Sequence, residues 1–210
     1  MRIVYLSTAI LIALPAFAQK YELGILGGVS LYDTKTVTNP RGTADAGFKP
    51  GYVAGVTLGH NTYQHIGGEI RYTFLQNEMK LSSGSTEATF GSQAHTVHYD
   101  VLIHATGVES PVRPYVAFGG GMKYYRGTGT EQPFQPLSNI AILTKTSDTK
   151  GLVSVGGGVK MQMTHKVWLR LDVHDYLTPF PNNIITPASG SSASGWMNNI
   201  VGTGGIVFTF

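Results

Sequence analysis

Strict two-residue alternation, sustained over eight runs of about 10 to 14 residues, constrains this chain more than any other feature. KYELGILGGVSLY puts Tyr21, Leu23, Ile25, Val29 and Leu31 on one face, with Glu22, Leu26, Ser30 and Tyr32 on the other. HIGGEIRYTFLQN separates Ile66, Ile70, Tyr72 and Phe74 from Glu69, Arg71, Thr73 and Asn77. KVWLRLDVHDYL separates Val167, Leu169, Leu171 and Val173 from Trp168, Arg170, Asp172, His174 and Tyr176. Runs near Tyr52, His98, Tyr115, Val155 and Val201 repeat the rhythm. Strands of globular proteins average about 5 or 6 residues. A tilted strand needs about 9 to 11 to cross a bilayer. Strand length therefore favours an all-β, eight-stranded antiparallel up-and-down transmembrane barrel over a soluble sandwich.

The connections alternate as well. Segments 60–65, 106–113 and 164–166 are short. Segments 33–48, 80–94, 127–148 and 178–196 are long and rich in Gly, Ser, Thr, Asn and Pro. Short turns on one rim and long loops on the other are expected of an outer-membrane barrel, turns in the periplasm and loops outside.

In a membrane barrel the apolar face meets lipid and the polar face fills the bore. The mixed face carries Glu22, Glu69, Asp100 and Asp172 against Arg71, Lys123, Lys160 and Arg170. An eight-stranded bore is just wide enough to be filled by side chains. These eight residues are therefore expected to meet as a lumen charge network. On that expectation Arg170→Ala costs about 1–4 kcal/mol by orphaning a carboxylate. Tyr52, Tyr72, Phe74 and Tyr124 form one candidate aromatic belt at the long-loop rim; Tyr21, Phe208 and Phe210 form another at the opposite rim. Gly68, on the outward face, leaves room for a neighbouring ring to lie across its strand.

The chain closes in GIVFTF, with Ile206, Phe208 and Phe210 at alternate apolar positions. Closing eight antiparallel strands requires the last to pair with the first, residues 197–210 against residues 20–32. At the other end, Met1-Arg2, an apolar stretch over 3–14 and Ala16-Phe17-Ala18 read as a signal peptide over 1–18, cleaved before Gln19. The barrel domain is then 19–210.

Composition excludes several chemistries. There is no cysteine, hence no disulfide and no thiolate ligand. The net charge of +3 is spread without a basic run, which argues against nucleic acid. His95 and His98 fall on opposite faces of a strand, and His98 and His104 lie about 20 Å apart at roughly 3.3 Å per residue; no metal site is expected. GGG at 119–121 and 156–158 falls inside strands with no following helix, unlike a phosphate loop. His174 beside Asp172 could form a catalytic pair, but polar residues in a bore are more simply packing. Apolar stretches in the long loops, NIAIL (139–143) and IIT (184–186), are expected to pack on the rim in preference to touching a foreign surface.

RPYVAFGGGMKYYRG, LRLDVHDYL and the terminal GGIVFTF resemble the small OmpA/OmpX-type eight-stranded outer-membrane β-barrel family. The resemblance implies a monomeric integral protein of a bacterial outer membrane. Its partners would be outer-membrane lipid, lipopolysaccharide and the assembly machinery, which reads an alternating terminal signal at Ile206, Phe208 and Phe210. Some outer-membrane barrels deacylate lipid A through a His-x-Ser pair; no His-x-Ser occurs here, so that chemistry does not carry over. The scaffold hosts many functions. The reading is a non-enzymatic barrel with a plugged polar lumen, no catalytic residue, no cofactor and no metal. It would serve envelope structure or contact a host or phage surface through its loops. The alternatives are a narrow pore and a lipid-modifying enzyme.

Overall fold

The computed structural model describes residues 21–40, 42–131, 133–191 and 193–210. The expected signal peptide lies outside them. Twelve strands are present: β1 (Tyr21–Tyr32), β2 (Lys35–Asn39), β3 (Gly42–Phe48), β4 (Gly51–Asn61), β5 (Ile66–Ser83), β6 (Thr86–His104), β7 (Val112–Gly127), β8 (Ala141–Leu143), β9 (Ser147–Thr164), β10 (Val167–Pro179), β11 (Ile185–Pro187) and β12 (Trp196–Thr209). Eight of them, β1, β4, β5, β6, β7, β9, β10 and β12, pair antiparallel in that order, and β12 returns to β1. Ile25 opposite Ile206 and Leu23 opposite Phe208 set the closing register, and Phe210 N donates to Tyr21 O at 3.0 Å. The ring has no free edge, as backbone polar groups in hydrocarbon require.

Alternation decides which face looks where. Val173 is 54% and Leu171 48% exposed, whereas Arg170 and His174 are fully buried. The apolar band faces outward and the charged face lies within. Outward glycines accommodate rings: a Cβ on Gly68 would collide with the Tyr99 hydroxyl, which binds His60 Nε2 at 3.0 Å. Tyr72, Phe74 and Tyr124 gather around His95 on the outer surface, with Tyr72 Oη 2.8 Å from His95 Nδ1.

The long-loop end departs from the sequence reading in two respects. Segment 80–94, expected as a loop, is strand up to the two-residue turn at Gly84-Ser85, where Gly84 takes a φ of +57° that favours glycine. Its Ser, Thr and Gly content suggested a loop, yet Leu81, Ala88 and Phe90 continue the inward alternation and are buried. Segment 33–48 is a hairpin, β2–β3, and β3 adds to the extended edge of β5 through Asp45–Phe48 against Met79–Ser82. Where β3 passes into β4, Lys49 bridges Glu78 and Glu87. The hydrogen bond to Lys49, followed by that to Lys80, holds the Glu87 carboxyl below its usual range.

The second departure concerns the interior. The buried ion pairs between cations and carboxylates are confined to the short-turn half of the bore, and the polar groups beyond them are scattered, as in Ser30 with Asn77 and Tyr125 with Thr178. Toward the long loops the bore becomes an apolar core in which Leu75, Met79, Tyr125, Leu152 and Met197 meet loop residues Val37, Phe48, Ile140, Leu143, Ile184 and Ile185. Strands continuing past the bilayer must shed water from within as any soluble core does. The loop residues supply the missing side of that core. β8 pairs with β11, tying the third long loop to the fourth. Leu137, at φ 66°, accepts hydrogen bonds from Ile140 N and Ala141 N and packs on the core.

Candidate functional site

β5 and β10 stand opposite each other in the ring of eight, with three strands between them on either side. Each contributes two charges at i, i+2 spacing, which period-two geometry turns to the same side. Both strands run from the short-turn rim toward the long loops. Glu69 therefore lies level with Arg170, and Arg71 with Asp172, so the signs are complementary across the bore. Glu69 Oε1 accepts from Arg71 Nε at 3.1 Å, Arg71 Nη2 at 2.9 Å and Arg170 Nη2 at 2.9 Å. Its Oε2 accepts from Arg170 Nη1 at 2.5 Å. Asp172 accepts from Arg71 at 2.8 and 3.3 Å and from Arg170 Nε at 2.6 Å. Each guanidinium thus touches both carboxylates, and no side chain in the tetrad is more than 1% exposed.

Neutral groups complete the site. Tyr115 Oη donates to Asp172 Oδ2 at 2.8 Å, and Thr203 donates to Oδ1. The Tyr115 ring lies 5.1 Å from the Arg170 guanidinium. Nearer the short turns, Glu22 pairs with Lys160 and accepts from Asn61 Nδ2 at 2.7 Å. Six of the eight charges singled out in the sequence are therefore in cation–carboxylate contact.

The other two are placed differently. Among the described residues Asp100 meets no arginine or lysine; it faces His98 Nε2 at 3.3 Å, His174 Nδ1 at 3.7 Å and the Ser154 hydroxyl at 3.4 Å. Lys123 sits higher, fully buried, with Nζ donating to Asn199 Oδ1 at 2.6 Å. Its ammonium lies 4.6 Å from the centre of the Tyr32 ring, 5.0 Å from that of Tyr125 and 6.0 Å from that of Tyr176. Among the described residues no carboxylate is in ion-pair contact with it, and three aromatic faces take that place. Because no carboxylate would be orphaned, Lys123→Met should leave stability within about 1.5 kcal/mol of wild type, as a volume-conserving exchange does. Urea titration of the refolded barrel checks this; a loss above about 3 kcal/mol would mean that the ammonium itself is required.

Tyr115, Thr203, Asn199 and the glycines were not identified as site residues from sequence. The glycines carried a legible signal. Gly119 and Gly121 lie opposite Asp100 and His98, and Gly156 and Gly158 lie opposite His174 and Asp172. A Cβ on Gly121 would approach His98 Cβ to 2.6 Å, and one on Gly156 would approach His174 Cγ to 2.6 Å. The two GGG runs are the space into which the buried polar side chains fit. Among the described residues, no cluster of three or more His, Asp or Glu has metal-binding geometry. The candidate catalytic pair, His174 and Asp172, lies 3.9 Å apart with both side chains fully buried. Phe208 and Phe210 are outward at the short-turn rim, 39% and 43% exposed, and Ile206 is outward above them.

No curated protein matches the chain significantly in sequence. Solved structures share the architecture at low identity. Neisserial surface protein A superposes with a TM-score of 0.56 at 11% identity, over 90% of this chain and 97% of its own. OprG of Pseudomonas aeruginosa gives 0.53 at 11%, over 92% and 97%. AlkL, determined in DMPC bilayers, gives 0.51 at 12%, over 92% of each chain. The sequence model for the outer membrane protein beta-barrel domain matches residues 5–186. With a closed ring of eight antiparallel strands and an outward apolar band, the chain belongs to the outer membrane protein beta-barrel family and is an integral protein of a bacterial outer membrane.

Proposed function

We propose that this chain is a non-enzymatic outer-membrane barrel with a plugged lumen, acting in envelope structure or in surface contact through its loops. The charge tetrad spanning β5 to β10 carries the reading. Four ionised side chains locked to one another across an eight-stranded bore leave little room for a water file. The apolar core above them, roofed by β8, β11 and the β2–β3 hairpin, adds a second barrier. Bulk water and ions would have to displace both layers.

Burial also supports a non-enzymatic role. A lipid substrate reaching His174 would have to enter the bore, because neither His174 nor Asp172 reaches the outer face. Unchanged lipopolysaccharide by mass spectrometry after incubation with the purified protein is the expected result. Exposed loop residues such as Phe134, 77% exposed, offer contacts to a host or phage surface. The outward apolar band would contact lipid and lipopolysaccharide in the monomer. Ile206, Phe208 and Phe210 would be read by the assembly machinery, and cleavage before Gln19 would release the mature chain.

Planar-bilayer recording tests the plug. Purified protein should give no reproducible single-channel openings at neutral pH. Steady unitary conductance would replace this reading with that of a narrow pore.

A further inference from the structure

The short-turn end of the bore holds a cavity of about 640 Å³, bordered by Glu22, Asn61, Gln64, Arg113, Gln162 and Trp168. That volume lies within the range of small-molecule sites, roughly 300–1,000 Å³. Arg113 enters at the start of β7 opposite Lys160 and is 2% exposed. Its Nη1 donates to Asn61 Oδ1 at 3.2 Å. Its Nε and Nη2 are buried and donate to nothing among the described residues. Those two atoms form the edge through which a guanidinium grips a carboxylate or phosphate with two parallel hydrogen bonds.

The nearby carboxylate is already committed. Glu22 accepts from Lys160 on one oxygen and from Asn61 on the other. On the long-loop side of Arg113, His104 packs on Tyr115 with both ring nitrogens unpartnered among the described residues. Elsewhere in the bore each arginine has two carboxylate partners; here a buried cation has none among the described residues. A buried charge is costly unless paired and hydrogen-bonded.

We propose that the periplasmic mouth binds a small oxoanion, the carboxylate or phosphate group of a periplasmic solute, with Arg113 as its bidentate anchor. Arg113 borders the cavity with its free edge shielded from it, so binding requires the side chain to rotate away from Asn61 and bring Nε and Nη2 to an oxygen pair there. Asn61, Gln64 and Gln162 bring amide donors to the same space. Glu109, exposed on the lip, disfavours polyanions by like-charge repulsion. The site does not depend on whether the bore above it conducts.

Equilibrium dialysis of the refolded barrel in detergent, at constant ionic strength, uses two probes: radiolabelled inorganic phosphate and radiolabelled acetate. At least one should bind saturably at one per chain, and the tighter probe identifies which group the site takes. Arg113→Lys keeps the charge but loses the fork, and should weaken that binding at least about tenfold. Asn61→Ala frees Glu22 to pair with Arg113 and should weaken it too, giving a second variant should the first not fold. Heat-modifiable gel migration reports folding of each. Absence of saturable uptake of both probes by wild type overturns the proposal, as does full uptake by a folded Arg113→Lys or Asn61→Ala barrel.

Discussion

Arg170→Ala should lower the free energy of unfolding by about 3–5 kcal/mol, the cost of removing one partner from a buried ion pair, higher than the roughly 1–4 kcal/mol expected from sequence because two carboxylates lose the cation instead of one. Arg170 supplies the donor to Glu69 Oε2 and one of the three donors to Oε1, and its Nε holds Asp172 Oδ2. Without it, two buried carboxylates share the single guanidinium of Arg71. Truncation also leaves a void beside the Tyr115 ring. Equilibrium unfolding in urea from lipid vesicles provides the measurement, with midpoint and slope read separately. A loss below about 1 kcal/mol would show that the tetrad does not hold the barrel together.

A thermodynamic cycle locates the origin of the loss. In Arg170→Ala/Glu69→Gln the surplus negative charge is removed along with the cation. If orphaned charge dominates, the double variant should recover a substantial part of the stability, with a coupling energy of about 1.5–3 kcal/mol, in the upper part of the range for residues in one network. If the void dominates, the two losses should add. Lys123→Met provides the contrast within the same bore. Its ammonium rests on aromatic rings and one amide, so its removal strands no carboxylate.

These differences show why part of the site was legible in sequence and part was not. Lipid outside and a narrow bore inside impose period two on every spanning segment, so the facing of Leu171 and Asp172 follows from sequence alone. Which charges meet does not. Glu69 and Arg170 are 101 residues apart, and their common height depends on strand tilt and on register accumulated around half the ring. Asp100 and Lys123 share the inward parity, yet they stand at levels where the facing groups are histidines and tyrosines. The upper bore was misjudged for a different reason. The rule of a polar lumen holds while the outer face is in lipid; above that level the strand interior must itself exclude water. Segment 80–94 carried both signals, loop-like composition and inward Leu81, Ala88 and Phe90, and the alternation prevailed.

Gly158→Ala should cost about 3 kcal/mol, the upper part of the overpacking range, whereas Gly151→Ala on the same strand should be neutral or stabilising by up to about 1 kcal/mol. Gly158 faces inward between Tyr115 on β7 and Asp172 on β10, directly beneath the hydrogen bond that joins them. A Cβ there would stand 2.5 Å from Asp172 Cβ and closer still to the Leu171 carbonyl oxygen. One of those atoms is backbone in the neighbouring strand, so relief requires β9 and β10 to part or Asp172 to leave the tetrad. Gly151 faces outward, and a Cβ there meets nothing within 4 Å. The two changes add the same methyl to the same strand and differ only in which side receives it. Urea midpoints for both variants decide the matter. The Gly158 loss should shrink when combined with Arg170→Ala, because a tetrad already broken no longer needs Asp172 in place. Equal midpoints for the two glycine variants would mean that the inward face tolerates added volume, and the GGG runs would then lose their explanation as space for buried charge.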